Sequence, residues 1–181
     1  MKKILVVAHP DDEVLWFNPD EFDRIIVVFL EREDSKEITA GRIKTMSVHP
    51  LKDKMTWFNL KESNYWRDKT KEREYKDGYD TLNRLLQDFV EKDIEFWTHN
   101  TWGEYGHSDH ILVNQAVTET AERYKIPVYC YNGIEKIGVK NPISIQRNMV
   151  RYNELKQMYI KNCAWTYKQH IPEYALEYFK A

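Results

Sequence analysis

Five short runs rich in β-branched and aromatic residues alternate with stretches of helical periodicity up to Tyr131, and this alternation constrains the fold more than any other feature of the chain. The runs are KKILVVAH (2–9), RIIVVFL (24–30), MTWFNL (55–60), IEFWTH (94–99) and IPVYCY (126–131). Helical patterns occupy 38–47, 79–91 and 108–124. In 79–91, Leu82, Leu85, Leu86, Phe89 and Val90 share one side; in 108–124, Ile111, Leu112, Val113, Ala116 and Val117 do. Strand and helix taking turns in this way imply an α/β fold, a three-layer sandwich whose mainly parallel sheet carries helices on both faces. Ligands in such sheets collect beyond the carboxyl ends of the strands. Residues 144–168 are helical by pattern, and 169–181, broken at Pro172, read as a second short helix. The segment 61–80 is dense in charge, with Tyr65, Trp66, Tyr75 and Tyr79 interleaved, and reads as a mobile surface loop or insertion, or as a short solvated helix.

With 181 residues, 42% of them hydrophobic, the chain is long enough for one well-filled core and short for two, so 1–181 is expected to form a single domain. The formal charge is −2 and both signs are mixed along the sequence, which argues against a nucleic-acid partner or an anionic membrane surface. The longest apolar runs, 25–30 and 4–8, fall far below the ~20 residues of a membrane span. Lys2 and Lys3 precede a run too short for a signal peptide, and no small-residue cleavage site follows, so a cytoplasmic location is expected. The two cysteines, Cys130 and Cys163, have no metal-like spacing and are expected to be buried free thiols in a reducing compartment.

The first strand-like run stops abruptly in His9, Pro10, Asp11, Asp12 and Glu13. Adjacent carboxylates repel one another unless a positive charge sits among them or water screens them all. A second polar stretch, GEYGHSDH (103–110), follows the run 94–99 and leads into the helical pattern at 108. Gly103 and Gly106 imply a tight turn, and Ser108 or Asp109 can cap the helix. His107 and His110, three apart at a helix start, can face the same way. Both stretches follow strands and therefore lie on the same rim of the sheet. Imidazole and carboxylate are ligands for Zn²⁺ or a neighbouring first-row ion, whose catalytic sites leave one position to water after three protein ligands. His9, Asp12 and His110 make such a set, and Asp11 remains outside it to take a proton from water. Either stretch alone is ordinary turn and capping chemistry; together at strand-to-helix junctions they point to a site. His49, His99 and His170 are read as structural, with His99 a candidate for the pocket wall because it ends a strand.

AHPDDE at 8–13 together with GEYGHSDH at 103–110 resembles the PIG-L/LmbE-like family of N-acetylglucosamine de-N-acetylases, metal-dependent enzymes on a Rossmann-like α/β fold. Thr98-His99-Asn100 and the segment 156–169 also resemble family segments, so the likeness covers most of the chain. The resemblance places the metal triad on His9, Asp12 and His110 and the general base on Asp11. It also implies a transition-state histidine at His107 with Asp109 as its carboxylate partner, and a substrate-side tyrosine at Tyr105. The family's arginine-then-glutamate pattern survives as Arg42, a substrate-binding position, with Thr45 where a glutamate is expected.

The implied reaction is hydrolysis of the acetamide of an N-acetylated sugar or sugar conjugate, with Zn²⁺ or another first-row divalent ion as cofactor. Asp11 collects the proton from water, and protonated His107 meets the charge developing on the carbonyl oxygen. Trp16, Trp102, Tyr105 and the aromatics of 61–80 are candidates for stacking on a sugar face. Two other readings use the same residues: hydrolysis of a different amide or an ester, and a metal-binding module without catalysis. A nucleotide-binding module is disfavoured, since HPDDE stands where a glycine-rich phosphate loop is required.

Overall fold

The computed structural model of the protein describes residues 1–133 and 140–181. In chain order its principal elements are β1 (Lys2–Val7), α1 (Asp12–Leu15), β2 (Arg24–Glu31), α2 (Lys36–Val48), β3 (Met55–Lys61), α3 (Glu72–Leu86), β4 (Ile94–Thr98), α4 (Gly103–Gly106), α5 (Ser108–Tyr124), β5 (Val128–Tyr131), β6 (Ile143–Gln146), α6 (Met149–Lys161) and β7 (Ala175–Lys180). The strands form a seven-stranded sheet in the order β3-β2-β1-β4-β5-β7-β6. The five expected strands are present and mutually parallel, while β7 runs antiparallel to β5 and β6 antiparallel to β7.

β1 reads as a continuous apolar run because both of its faces are covered. Leu5 and Val7 enter one core with Val14 and Leu15 of α1 and Tyr152, Leu155 and Tyr159 of α6. Ile4, Val6 and Ala8 enter the other, with Leu82 and Leu86 of α3 and Leu112, Val113, Ala116 and Val117 of α5. The three-layer α/β expectation therefore holds.

The carboxyl-terminal reading needs correction. Of the expected helix at 144–168 only α6 forms, preceded by strand β6, and the expected short helix at 169–181 is instead strand β7. The residues ALEYFK favour a helix locally, but pairing with β5 and β6 buries Leu176 and Tyr178 from both sides, and that packing overrides propensity. The segment 61–80, read as a surface loop or as a short solvated helix, is both in turn: it ends β3, turns, and enters α3 at Glu72. Both cysteines are free as expected, but Cys163 is exposed where burial was expected.

Chain order makes the site. The chain leaves the centre through β1, β2 and β3, then crosses back to lay β4 on the other side of β1. Such a reversal opens a crevice at the carboxyl ends of the two central strands. His9 lies just beyond β1 and His99 just beyond β4. Among the described residues no helix is long and apolar enough to cross a membrane.

Candidate metal centre

The turn between β1 and α1 is held open by an unusual backbone. Asp11 sits in the left-handed region at φ 93, a conformation that costs a non-glycine residue energy and persists only where its surroundings fix it. Those surroundings are explicit: its N–H donates to Glu13 Oε2 at 3.1 Å, and its Oδ2 accepts from the Thr166 N–H at 2.7 Å and the Thr166 hydroxyl at 3.0 Å. Glu13 is itself anchored, accepting from the Tyr159 hydroxyl at 2.5 Å and lying 3.4 Å from His49 Nε2. The twist at Asp11 sends the two neighbouring aspartates to different partners. Asp12 Oδ2 accepts the His9 N–H at 2.7 Å, and its Oδ1 accepts from Trp16 Nε1 at 3.2 Å.

On the other side, α5 begins beside β4 and carries His110 in its first turn. His9 Nδ1 lies 3.3 Å from Asp12 Oδ2 and 3.3 Å from His110 Nε2, and the third side of this triangle, His110 Nε2 to Asp12 Oδ2, is 3.5 Å. A tetrahedral ion with bonds of about 2.0–2.2 Å holds its ligand atoms about 3.3–3.6 Å apart, so these three atoms have the spacing of one face of such a site.

The far nitrogens of both histidines are fixed. His110 Nδ1 donates to Glu104 Oε2 at 2.6 Å, leaving the Nε2 lone pair on the triangle. His9 Nε2 lies 3.4 Å from Asp109 Oδ2 and 3.7 Å from Glu62 Oε1, leaving Nδ1 for the triangle. Carboxylates behind ligating histidines set tautomer and ring orientation in this way. Without an ion, burial works against charge on His9, but Glu62, Asp109 and Asp12 outweigh it and hold the imidazole's pKa up to about 10. Asp12 is pulled well below the usual carboxylate range: burial opposes its charge, but His110 and His9 beside it win. Asp11 is pushed well above that range by burial and by Asp12, and its Oδ1 is a buried oxygen with no hydrogen-bond partner.

His99, read from sequence as structural or as pocket wall, does more than fill space. The Ala8 N–H donates to its Nε2 at 2.9 Å while its Nδ1 donates to Glu104 Oε2 at 3.0 Å. Burial works against its imidazolium, and Glu104 and Asp12 outweigh it to about 9, but the amide aimed at Nε2 excludes a proton there, and the neutral tautomer follows. His99 Nε2 also lies 3.5 Å from Asp12 Oδ2, yet with its lone pair engaged it is not a free ligand.

The pairing expected between His107 and the Asp109 carboxylate does not form. His107 caps α5, its Nδ1 accepting the backbone N–H of Asp109 at 3.2 Å, while the Asp109 carboxylate meets His9 and the Ser63 hydroxyl. Burial and the imidazoles of His110 and His9 depress His107 well below its ordinary value, so it is neutral rather than the expected imidazolium. The cap puts its proton on Nε2. Its ring lies 4.8 Å from that of His9 and 4.7 Å from that of His110. Arg42, expected at the substrate, is buried and donates to Glu62 Oε1 at 2.6 Å and to the Leu30 carbonyl at 3.2 Å. Glu62 thus supplies, from the residue after β3, a carboxylate for the arginine where Thr45 cannot. Tyr105 stacks on Tyr167, centroids 5.0 Å apart and planes 9° from parallel.

A cavity of about 180 Å³ opens onto these groups, lined by His9, Asp12, Arg42, Tyr105 and His107 among others. Trp66, Arg32 and Arg67 also line it, whereas Trp102 stacks on Phe179 away from it. A larger cavity of about 830 Å³ lies alongside, between α2 and the ends of β2 and β3; it carries none of the histidine and aspartate cluster and shares Arg32 with the site.

Sequence reasoning did not find Glu104, Glu62, Ser63 or Thr166. Glu104 stands inside the GEYGHSDH stretch and Thr166 inside the family-like segment 156–169, whereas Glu62 and Ser63 belong to no motif.

No protein-family model matches the sequence, and no curated protein matches it. Solved structures do. A deacetylase–bog complex in the biosynthesis pathway of teicoplanin superposes with a TM-score of 0.67 at 12% identity, covering 99% of this chain and 97% of that one. The zinc-inhibited form of teicoplanin deacetylase Orf2 gives 0.67 at 10% identity, with the same 99% and 97% coverage. The A40926 pseudoaglycone deacetylase Dbv21 gives 0.59 at 13% identity, over 90% of this chain and 81% of that one. The chain therefore has the α/β fold of these deacetylases along essentially its whole length, with a buried His/Asp cluster capable of holding a divalent metal.

Proposed function

We propose that this chain, acting as one domain, is a metal-dependent N-deacetylase of the PIG-L/LmbE-like kind that removes the acetyl group from an N-acetylglucosamine-type sugar or sugar conjugate. The observation that carries the reading is the triangle of His9 Nδ1, Asp12 Oδ2 and His110 Nε2, with the tautomers of both histidines fixed from behind by Asp109 and Glu104. The shared fold of the teicoplanin and A40926 deacetylases supports the reaction type. Zn²⁺ fits a donor set of two imidazoles and one carboxylate, with a further position free for water. An ion held there lowers the pKa of water toward ~7 and polarises the amide carbonyl.

The chain's own groups do the rest. Asp11, with one oxygen fixed by Thr166 and the other without a partner, takes the proton from the attacking water. Neutral His107, its proton on Nε2, donates a hydrogen bond to the carbonyl oxygen as charge develops there. Asp11 then returns the proton to the departing amine. Tyr105, paired with Tyr167, and Trp66 supply aromatic faces for the sugar ring. Arg42 holds the Glu62 carboxylate in place behind His9.

The test is acetate release from a panel of N-acetylated sugars, sugar nucleotides and non-sugar amides, before and after chelation. Release from an acetamido sugar that is lost with chelator and restored by Zn²⁺ is the expected result. Release unaffected by chelator, or restricted to non-sugar amides, refutes the proposal.

A further inference from the structure

The mouth of the site carries more positive charge than its own carboxylates balance. Arg32 and Arg67 both line the cavity that holds His9, Asp12 and His107. One carboxylate serves the two of them: Asp34 accepts from Arg32 Nε at 2.7 Å and Arg32 Nη2 at 3.3 Å, and pairs with Arg67 Nη1 through Oδ2. Among the described residues no other carboxylate pairs with either guanidinium. The neighbouring Glu33 is engaged by Lys61 at 3.4 Å and by Lys71 at 3.8 Å. The remaining arginine of the cavity, Arg42, has its own carboxylate in Glu62, which also faces His9. On a chain whose formal charge is −2 this surplus is local.

Arg67 is also held in place. Its guanidinium lies over Trp66, 4.3 Å from the ring centroid, and Trp66 in turn packs on His107 with centroids 5.2 Å apart. The cationic group is thus tied by two ring contacts to the histidine closest to the chemistry. Arg32 is partly buried, with 16% of its side chain exposed, and a charge-assisted contact there is screened less than on an open surface; Arg67 stands more open at 35%. Two guanidiniums converging on a cavity beside a single carboxylate suit an oxyanion with several acceptor oxygens.

We infer that the acetylated substrate carries an anionic group, a phosphate or a carboxylate, which seats between Arg32 and Arg67 at the mouth of the site. The inference rests on the deacetylase reading for its substrate and on the arginines for the charge. A neutral acetamido sugar leaves the excess charge of the pair unmet; an anionic one meets it while the acetamide lies at the histidine cluster.

The experiment compares the Zn²⁺-loaded protein on methyl N-acetylglucosaminide, N-acetylglucosamine 1-phosphate and an N-acetylglucosaminide with a carboxyl-bearing aglycone. Acetate release and calorimetric binding are both read, in 20 mM and in 500 mM NaCl (roughly 20 and 4 Å of screening length). The expected result is a kcat/KM on the order of tenfold higher for one of the anionic sugars at low salt, shrinking at high salt. Which anionic arm responds distinguishes phosphate from carboxylate. Arg67→Gln and Arg32→Gln are expected to collapse that preference through KM, with kcat for the anionic sugar changed less than threefold. Equal kcat/KM for the neutral sugar and both anionic ones overturns the inference. So does a preference untouched by both substitutions, as direct contact of phosphate with the ion gives. If no arm releases acetate, binding decides: tighter binding of an anionic sugar that needs Arg32 and Arg67 sustains this inference and sinks the deacetylase reading, and equal binding sinks both.

Discussion

Glu104→Gln is the sharpest probe of the centre because the carboxylate serves three buried donors with two oxygens. Oε1 accepts the Asn100 N–H at 3.0 Å, and Oε2 accepts from His99 Nδ1 at 3.0 Å and His110 Nδ1 at 2.6 Å. Glutamine keeps the shape but offers one oxygen and one NH₂. With its oxygen toward Asn100, the NH₂ faces two imidazole N–H groups. His99 cannot move its proton to Nε2, because the Ala8 N–H points there at 2.9 Å. His110 can, but doing so places the proton on the nitrogen that completes the metal triangle. With the amide turned over, NH₂ meets the Asn100 N–H. In every arrangement a buried donor loses its acceptor, at a cost of about 1–3 kcal/mol. For a chain of this size that lowers Tm by roughly 2–12 °C. Metal affinity should fall about 10–100-fold, the usual effect of losing the carboxylate behind a ligating histidine. Thermal unfolding of the metal-free protein and Zn²⁺ competition against a chromophoric chelator measure the two effects separately. A folded variant with both wild-type Tm and wild-type Zn²⁺ affinity would refute the argument.

Asp11→Asn should keep its metal and lose on the order of 10²–10⁴ in turnover, whereas Asp12→Asn should bind metal weakly and recover partly when Zn²⁺ is added. Rescue of the first variant and not the second reverses the division of labour. His107→Ala should retain metal and cost on the order of 10²–10³ in kcat; loss of metal would make His107 a ligand instead. His9, held up to about 10 by Glu62, Asp109 and Asp12 against the opposing effect of burial, is protonated in the metal-free protein at neutral pH. Its folded pKa lies above the unfolded value of about 6.5, so its contribution to metal-free stability is full below that pH and disappears as pH rises through about 10. An ion needs the neutral ring, so Zn²⁺ uptake at pH 7.5 should release at least one proton, visible by calorimetry in buffers of different ionisation enthalpy. Zero release contradicts the assignment of His9. Tyr159→Phe removes the 2.5 Å bond to buried Glu13, which holds the Asp11 turn. It should cost about 1.5–3 kcal/mol in stability and several-fold in kcat, with metal retained; wild-type turnover would show that the turn holds itself.

Local chemistry determined much of this protein from sequence alone. β1 and β2 were legible because strands covered on both faces read as continuous apolar runs, β3 to β5 by their β-branched and aromatic residues, and α5 because the apolar residues of 108–124 recur at helical spacing. His9, Asp12 and His110 stood out because a candidate ligand set is a matter of residue type, and strand ends are where an α/β sheet keeps its sites. The long-range contacts were a different matter. Residues 175–180 spell a helix and become a strand because β5 and β6 bury them. Asp109 stands two residues from His107 in sequence, yet its carboxylate reaches His9, 100 residues away, because the first turn of α5 directs it across the crevice. Thr166, 155 residues beyond Asp11, meets it only through the fold, and Glu62, from the turn after β3, reaches His9 without any motif to announce it. Residue type decides which atoms can bind an ion or carry a proton; only the packing of β1 against β4, with the helices laid over them, decides which nitrogen carries that proton and which carboxylate stands behind it.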